Sequence, residues 1–159
     1  MTMLARCLLV FALLVCGISL GTVPPLPDHN EITSLTPEQA RKLAKEVAGI
    51  LILDGVTTLS PEAAKALAEY KGDSLGLNGL TSLDVDTANA LAEYKGNLMF
   101  LDGLTTLDAD AAEAIAGFRG YELHVNGLTN LDAGTKKALQ KFRGSLHYLG
   151  ANPSSGLTR

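Results

Sequence analysis

The chain has 159 residues, enough for one domain with a real core, and 47% of them are hydrophobic with only 5% aromatic and no Trp. A formal net charge of −4, with no basic face interleaved with aromatics, excludes the nucleic-acid-binding classes. Basic residues gather at Arg41, Lys42 and Lys45 and again at Lys136, Lys137, Lys141 and Arg143, around an acidic middle, which reads as solvated surface at two ends.

Residues 1–21 read as a secretory signal. Arg6 closes a short positive region, Cys7 to Val15 with Gly17 and Ile18 supply the apolar stretch, and Ser19-Leu20-Gly21 offers a cleavage site before Thr22. The apolar run is shorter than the roughly 20 residues that a spanning helix needs. Two other fates stay open: lipidation at Cys16 within Leu13-Leu14-Val15-Cys16, which Val15 suits poorly, and retention as an uncleaved anchor. Membrane contact is expected only through such an uncleaved or lipidated N-terminus, and the destination is periplasmic, cell-envelope or extracellular. Both cysteines, Cys7 and Cys16, fall in this segment, so cleavage leaves no disulfide and no thiolate metal site. Residues 22–31 (TVPPLPDHNE) read as a Pro-rich linker in which His29 stands alone.

From residue 32 to 150 the chain is periodic. Gly55, Gly79, Gly103 and Gly127 hold one place in LDGVTTL, LNGLTSL, LDGLTTL and VNGLTNL, and each difference (79−55, 103−79, 127−103) is 24. Ile32 to Thr36 align with Val56 to Ser60, so an N-terminal half-unit precedes about four units of 24 residues. Thr36, Ser60, Asp84, Asp108 and Asp132 are expected helix N-caps, with Pro37 and Pro61 at the first helical position. Glu38, Glu62, Asp86 and Asp110 put negative charge in the first turn. Gly72, Gly96, Gly120 and Gly144 are read as left-handed helix stops. Leu59, Ala63, Ala66, Leu67 and Tyr70 form an apolar stripe. Its columns continue as Ala66/Ala90/Ala114/Ala138, read as the small surface between stacked helices, and as Tyr70/Tyr94/Phe118/Phe142, read as packed core.

Alternation at Leu51/Leu53, Leu75/Leu77, Met99/Leu101 and Leu123/Val125 predicts short strands with one buried face. Strand, helix and strand in succession imply parallel pairing and right-handed connections. The expected fold is therefore α/β, a short right-handed solenoid with parallel strands on one face and helices on the other. A fifth strand is placed at Ser145 to Gly150, with His147 replacing the inward Leu and Ala151 replacing the turn Gly, and the whole reads as a C-terminal cap before a flexible tail at 151–159.

The unit LDGVTTLSPEAAKALAEYKG resembles a leucine-rich repeat, and its wording is similar to that of bacterial exported proteins carrying leucine-rich-repeat-like units. The resemblance covers about residues 32–150 and implies an arc that binds proteins on its strand face. The chain departs from the family at the usual Asn position, occupied by Val56, Leu80, Leu104 and Leu128; the column Thr57, Thr81, Thr105, Thr129 is the candidate replacement.

No HExxH and no phosphate-cradling glycine loop occurs, and the expectation is no enzyme, no catalytic residue, no cofactor and no metal. The column Asp54, Asn78, Asp102, Asn126 offers oxygens that suit calcium, but Asp-Gly and Asn-Gly are turn dipeptides and read as turn formation. Specificity is expected where the units differ. On the strand side opposite the leucines these positions are Ile52, Gly76, Phe100, His124 and Tyr148 in one column and Ile50, Ser74, Leu98, Glu122 and Leu146 in the other. Ile52, Leu98, Phe100, Glu122, His124, Leu146 and Tyr148 are the candidate contacts for a protein or peptide ligand. The expected function is an exported, non-catalytic binding module; the alternative is a self-associating structural component of the cell envelope.

Overall fold

The computed structural model describes residues 32–149; the expected signal with both cysteines, the linker and the tail lie outside the described residues. In chain order the elements are β1 (Ser34–Leu35), α1 (Pro37–Glu46), β2 (Ile50–Ile52), β3 (Thr58–Leu59) and α2 (Pro61–Ala68). They continue as β4 (Ser74–Gly76), α3 (Val85–Ala92), β5 (Leu98–Phe100), α4 (Ala109–Ile115), β6 (Glu122–His124), α5 (Ala133–Leu139) and β7 (Ser145–His147). The chain is thus α/β, with five helices and a five-stranded parallel sheet in the order β2-β4-β5-β6-β7. A separate two-stranded parallel sheet, β1 with β3, was not expected.

The five predicted caps start the helices. Ser60 Oγ accepts from the Ala63 N–H at 3.2 Å, and Asp84, Asp108 and Asp132 accept from the N–H groups of Thr87, Ala111 and Thr135 at 2.8, 2.7 and 2.9 Å. Thr36 goes further and forms a capping box with Gln39, whose side chain accepts from the Thr36 N–H at 3.0 Å.

Two of these caps make stability depend on pH. The Asp84 and Asp132 carboxyls are held below the usual range, first by the backbone N–H of Thr87 or Thr135 and also by its hydroxyl, each 2.8 Å from Oδ2. A carboxyl whose folded pKa is depressed adds stability above its unfolded value, about 3.9, and loses it as pH falls through the folded value. Asp84→Asn/Asp132→Asn, which keeps a capping oxygen but cannot titrate, is expected to flatten the acid limb of stability against pH below about pH 4. Urea titrations at a series of pH values check this, and an unchanged acid limb overturns it.

The core lies between the sheet and the helices. Leu51, Leu53, Leu75, Leu77, Met99, Leu101, Leu123 and Val125 point inward and are buried, and Leu67, Leu91, Ile115 and Leu139 meet them from the helices. Each helix packs on the next. The fully buried small column is Ala40/Ala64/Ala88/Ala112; in the predicted column Ala90 and Ala114 are only partly buried. The four aromatics stack as expected, with ring centroids 6.0, 5.9 and 6.0 Å apart and planes within 7°.

Asp54, Asn78, Asp102 and Asn126 do more than shape their own turns. The Oδ1 atoms of Asp54, Asn78 and Asp102 each accept the backbone N–H of the next member of the column, at 3.2 Å (Asn78), 3.0 Å (Asp102) and 3.0 Å (Asn126). The threonine column adds bonds of the same span, from Thr57 Oγ1 to the Thr33 carbonyl and from Thr105 Oγ1 to the Thr81 carbonyl, both 3.2 Å.

Two expectations need correction. Gly72, Gly96, Gly120 and Gly144 do not stop helices in the left-handed region; among the described residues only Gly49, at φ +90°, has a positive φ. They are required for space. A Cβ on Gly96 would enter the Tyr94 ring and lie 2.7 Å from the Gly72 carbonyl oxygen, and one on Gly120 would lie 2.6 Å from that of Asn97. The second correction concerns the last strand. Ser74, Leu98 and Glu122 each follow their partner by 24 residues, but β7 pairs as Glu122↔Ser145, Leu123↔Leu146 and His124↔His147, an offset of 23 (145−122). One residue is missing after Gly144, and because side chains alternate along a strand, that single step exchanges the two faces of β7.

Candidate functional site

The outer face of the five-stranded sheet carries the residues that differ between units. Ile50 and Ile52 on the edge strand β2 are 64% and 54% exposed, an unusual exposure for large aliphatic side chains side by side. Ser74 and Gly76 follow on β4, both buried, and make a shallow step in the face. Leu98 and Phe100 on β5, then Glu122 and His124 on β6, are half-buried.

Five of the seven predicted contact residues, Ile52, Leu98, Phe100, Glu122 and His124, occupy this face. Leu146 and Tyr148 do not. With β7 shifted by one residue, Leu146 stands beside the inward Leu123, and both it and Tyr148 pack against the hydrophobic core. Their places on the outer face belong to Ser145 and His147. His147, predicted to point inward, is exposed instead.

This exchange assembles a cluster that the period of 24 conceals. His124 Nε2 lies 3.2 Å from Glu122 Oε2, the His124 and His147 rings stack with centroids 4.3 Å apart, and the Phe100 ring lies 4.6 Å from His124 on its other side. One ligating atom each from Glu122, His124 and His147 falls within a span of 4.8 Å. The face therefore grades from aliphatic at β2, through Leu98 and Phe100, to imidazole and carboxylate at β6 and β7. The signal for the cluster was in the sequence: Leu-His recurs in YELHV and GSLHY, and aligning on it gives 147−124 = 23.

Among the described residues no helix is long and apolar enough to cross a membrane. No protein-family model, no curated protein and no solved structure matches the chain.

Proposed function

We propose that the chain is a non-catalytic, exported binding module, built as a short right-handed solenoid of leucine-rich-repeat-like units, that docks a protein or peptide on the outer face of its sheet. One observation carries the reading. The inward strand positions keep large apolar residues in every unit, whereas the outer columns run Ile50/Ser74/Leu98/Glu122/Ser145 and Ile52/Gly76/Phe100/His124/His147. Packing explains the constant columns; among the described residues no helix or strand lies over the outer face, so its side chains are free to diverge toward a ligand. The aliphatic end supplies area to remove from water, and Phe100 is a rigid anchor at the centre of the face.

Affinity capture from the source cell envelope tests this with the wild-type chain and the Ile52→Asp/Phe100→Ala variant. The expected result is a protein retained by the wild type and about tenfold weaker on the variant, as loss of one anchor of about 1.4 kcal/mol would give. Equal retention by both overturns the assignment of the face. A second reading, self-association into an envelope structure, is favoured by Ile50 and Ile52 lying on the edge strand β2, whose outer side pairs with no described strand. Light scattering across a concentration series separates the two, since a constant monomer mass removes the second.

A further inference from the structure

We propose that Glu122, His124 and His147 form a binding site for a divalent transition-metal ion of the zinc type. The proposal is independent of protein docking on the same face and rests on the pairing of β6 and β7.

Two imidazoles and one carboxylate are a donor set that suits zinc, copper or nickel and does not suit calcium or magnesium, which take oxygen ligands. The strand register sets these donors side by side. Glu122 and His124 are two residues apart on β6, so their side chains emerge on the same face, and His147 is paired directly with His124 on the adjacent strand. A tetrahedral ion with ligands at about 2.0–2.2 Å places its donors about 3.3–3.6 Å apart. The Glu122 Oε2 to His124 Nε2 separation is already 3.2 Å, and the set of three lies within 4.8 Å. His147 closes the remaining gap, because its side chain is exposed and turns without displacing core atoms. The Phe100 ring supports His124 from the opposite side at 4.6 Å and limits how that imidazole can tilt.

Access and coordination number follow from position. Among the described residues β7 is the last strand of the sheet and His147 is exposed, so an ion reaches it without any opening of this part of the fold. Three protein ligands leave one tetrahedral position for water or for a side chain of a docked partner. Among the described residues this is the one group of three such side chains with ligating atoms this close.

The test is isothermal titration of the tag-free full chain with zinc chloride, with calcium chloride in parallel. One zinc per chain with a micromolar dissociation constant is expected, with no comparable heat from calcium. His147→Ala, His124→Ala and Glu122→Gln should each weaken zinc binding at least about tenfold, as loss of one ligand of three requires. His147→Ala is the decisive variant, because its side chain is exposed, and circular dichroism should match the wild type. His29→Ala controls for a ligand elsewhere in the chain and should leave binding unchanged. Zinc should also raise the Tm of the wild type and not that of His147→Ala. Millimolar or absent zinc binding, binding unchanged in His147→Ala, equal affinity for calcium, or loss of binding in His29→Ala each overturns the site.

Discussion

Gly103→Ala is expected to destabilise the fold by about 3 kcal/mol, the upper end of what overpacking a tight interior costs. The Cβ would run into the Asn78 carbonyl, sit 2.8 Å from its carbon and lie 3.0 Å from the Leu80 carbonyl oxygen. All of these are backbone atoms of the preceding turn, so nothing flexible can yield. Gly79 and Gly127 face the same obstacle, against the Val56 carbonyl oxygen at 2.6 Å and the carbonyls of Asp102 and Leu104. Gly76→Ala is the matched control: its Cβ would meet only Asp54 Oδ1 at 3.4 Å and Ile52 atoms at 3.6 and 3.7 Å, ordinary contact distances. That change should stay within about 0.5 kcal/mol. Chemical denaturation of the two variants checks the contrast, and equal losses would show that missing Cβ volume is not what the turn glycine provides.

Tyr94→Ala should cost about 4 kcal/mol, because it removes a large buried ring and leaves a cavity that its neighbours cannot fill. Tyr94 is 1% exposed and stacked between Tyr70 and Phe118, so both faces lose their contacts. Its hydroxyl separates it from the rest of the column. Tyr94 donates to the Gly72 carbonyl at 2.9 Å, whereas the buried Tyr70 hydroxyl has no partner among the described residues. Burial pushes both hydroxyls above the usual tyrosine range, so both are neutral at physiological pH. Tyr94→Phe should therefore cost about 1 kcal/mol, and Tyr70→Phe should be neutral or stabilising, since it removes an unsatisfied buried group. Phe118 and Phe142 already occupy the column without a hydroxyl. Thermal or urea unfolding of the three variants decides the matter, and a loss in Tyr70→Phe equal to that in Tyr94→Phe would contradict it.

Helix starts, inward strand residues and the aromatic column were all legible, because each rests on a short-range rule: a side-chain oxygen at the cap, alternation along a strand, or a stripe along a helix. The glycines after the helices were harder. A glycine in the sequence signals either a positive φ or a missing Cβ, and only the position of the Tyr94 ring and the Gly72 carbonyl shows that Gly96 is the second kind. The fifth strand was misread for a different reason. A period of 24 held across Ser74, Leu98 and Glu122 and was carried on to Leu146 and Tyr148, where one residue fewer turns both inward. The pairing of His124 with His147 was hidden with it. The column of Asp54, Asn78, Asp102 and Asn126 was read within each turn, although its bonds run between turns, a relation that no single unit displays.

That column also has a parity. Asp and Asn alternate along it, so every carboxylate has an amide residue, and no second carboxylate, as its nearest neighbour in the column; Asn126 Nδ2 even donates to Asp102 Oδ1 at 2.9 Å. Excising the unit that carries Asn78 would stack Asp54 directly on Asp102 and set like charges side by side, a cost of about 0.2–1 kcal/mol if it matches that of like charges directly opposed on neighbouring strands. Excising two would stack Asp54 on Asn126 and keep the alternation. Chains of this pattern should therefore lose a carboxylate unit, or a pair of units, more readily than a single amide unit, a rule written in the side chains and absent from the backbone.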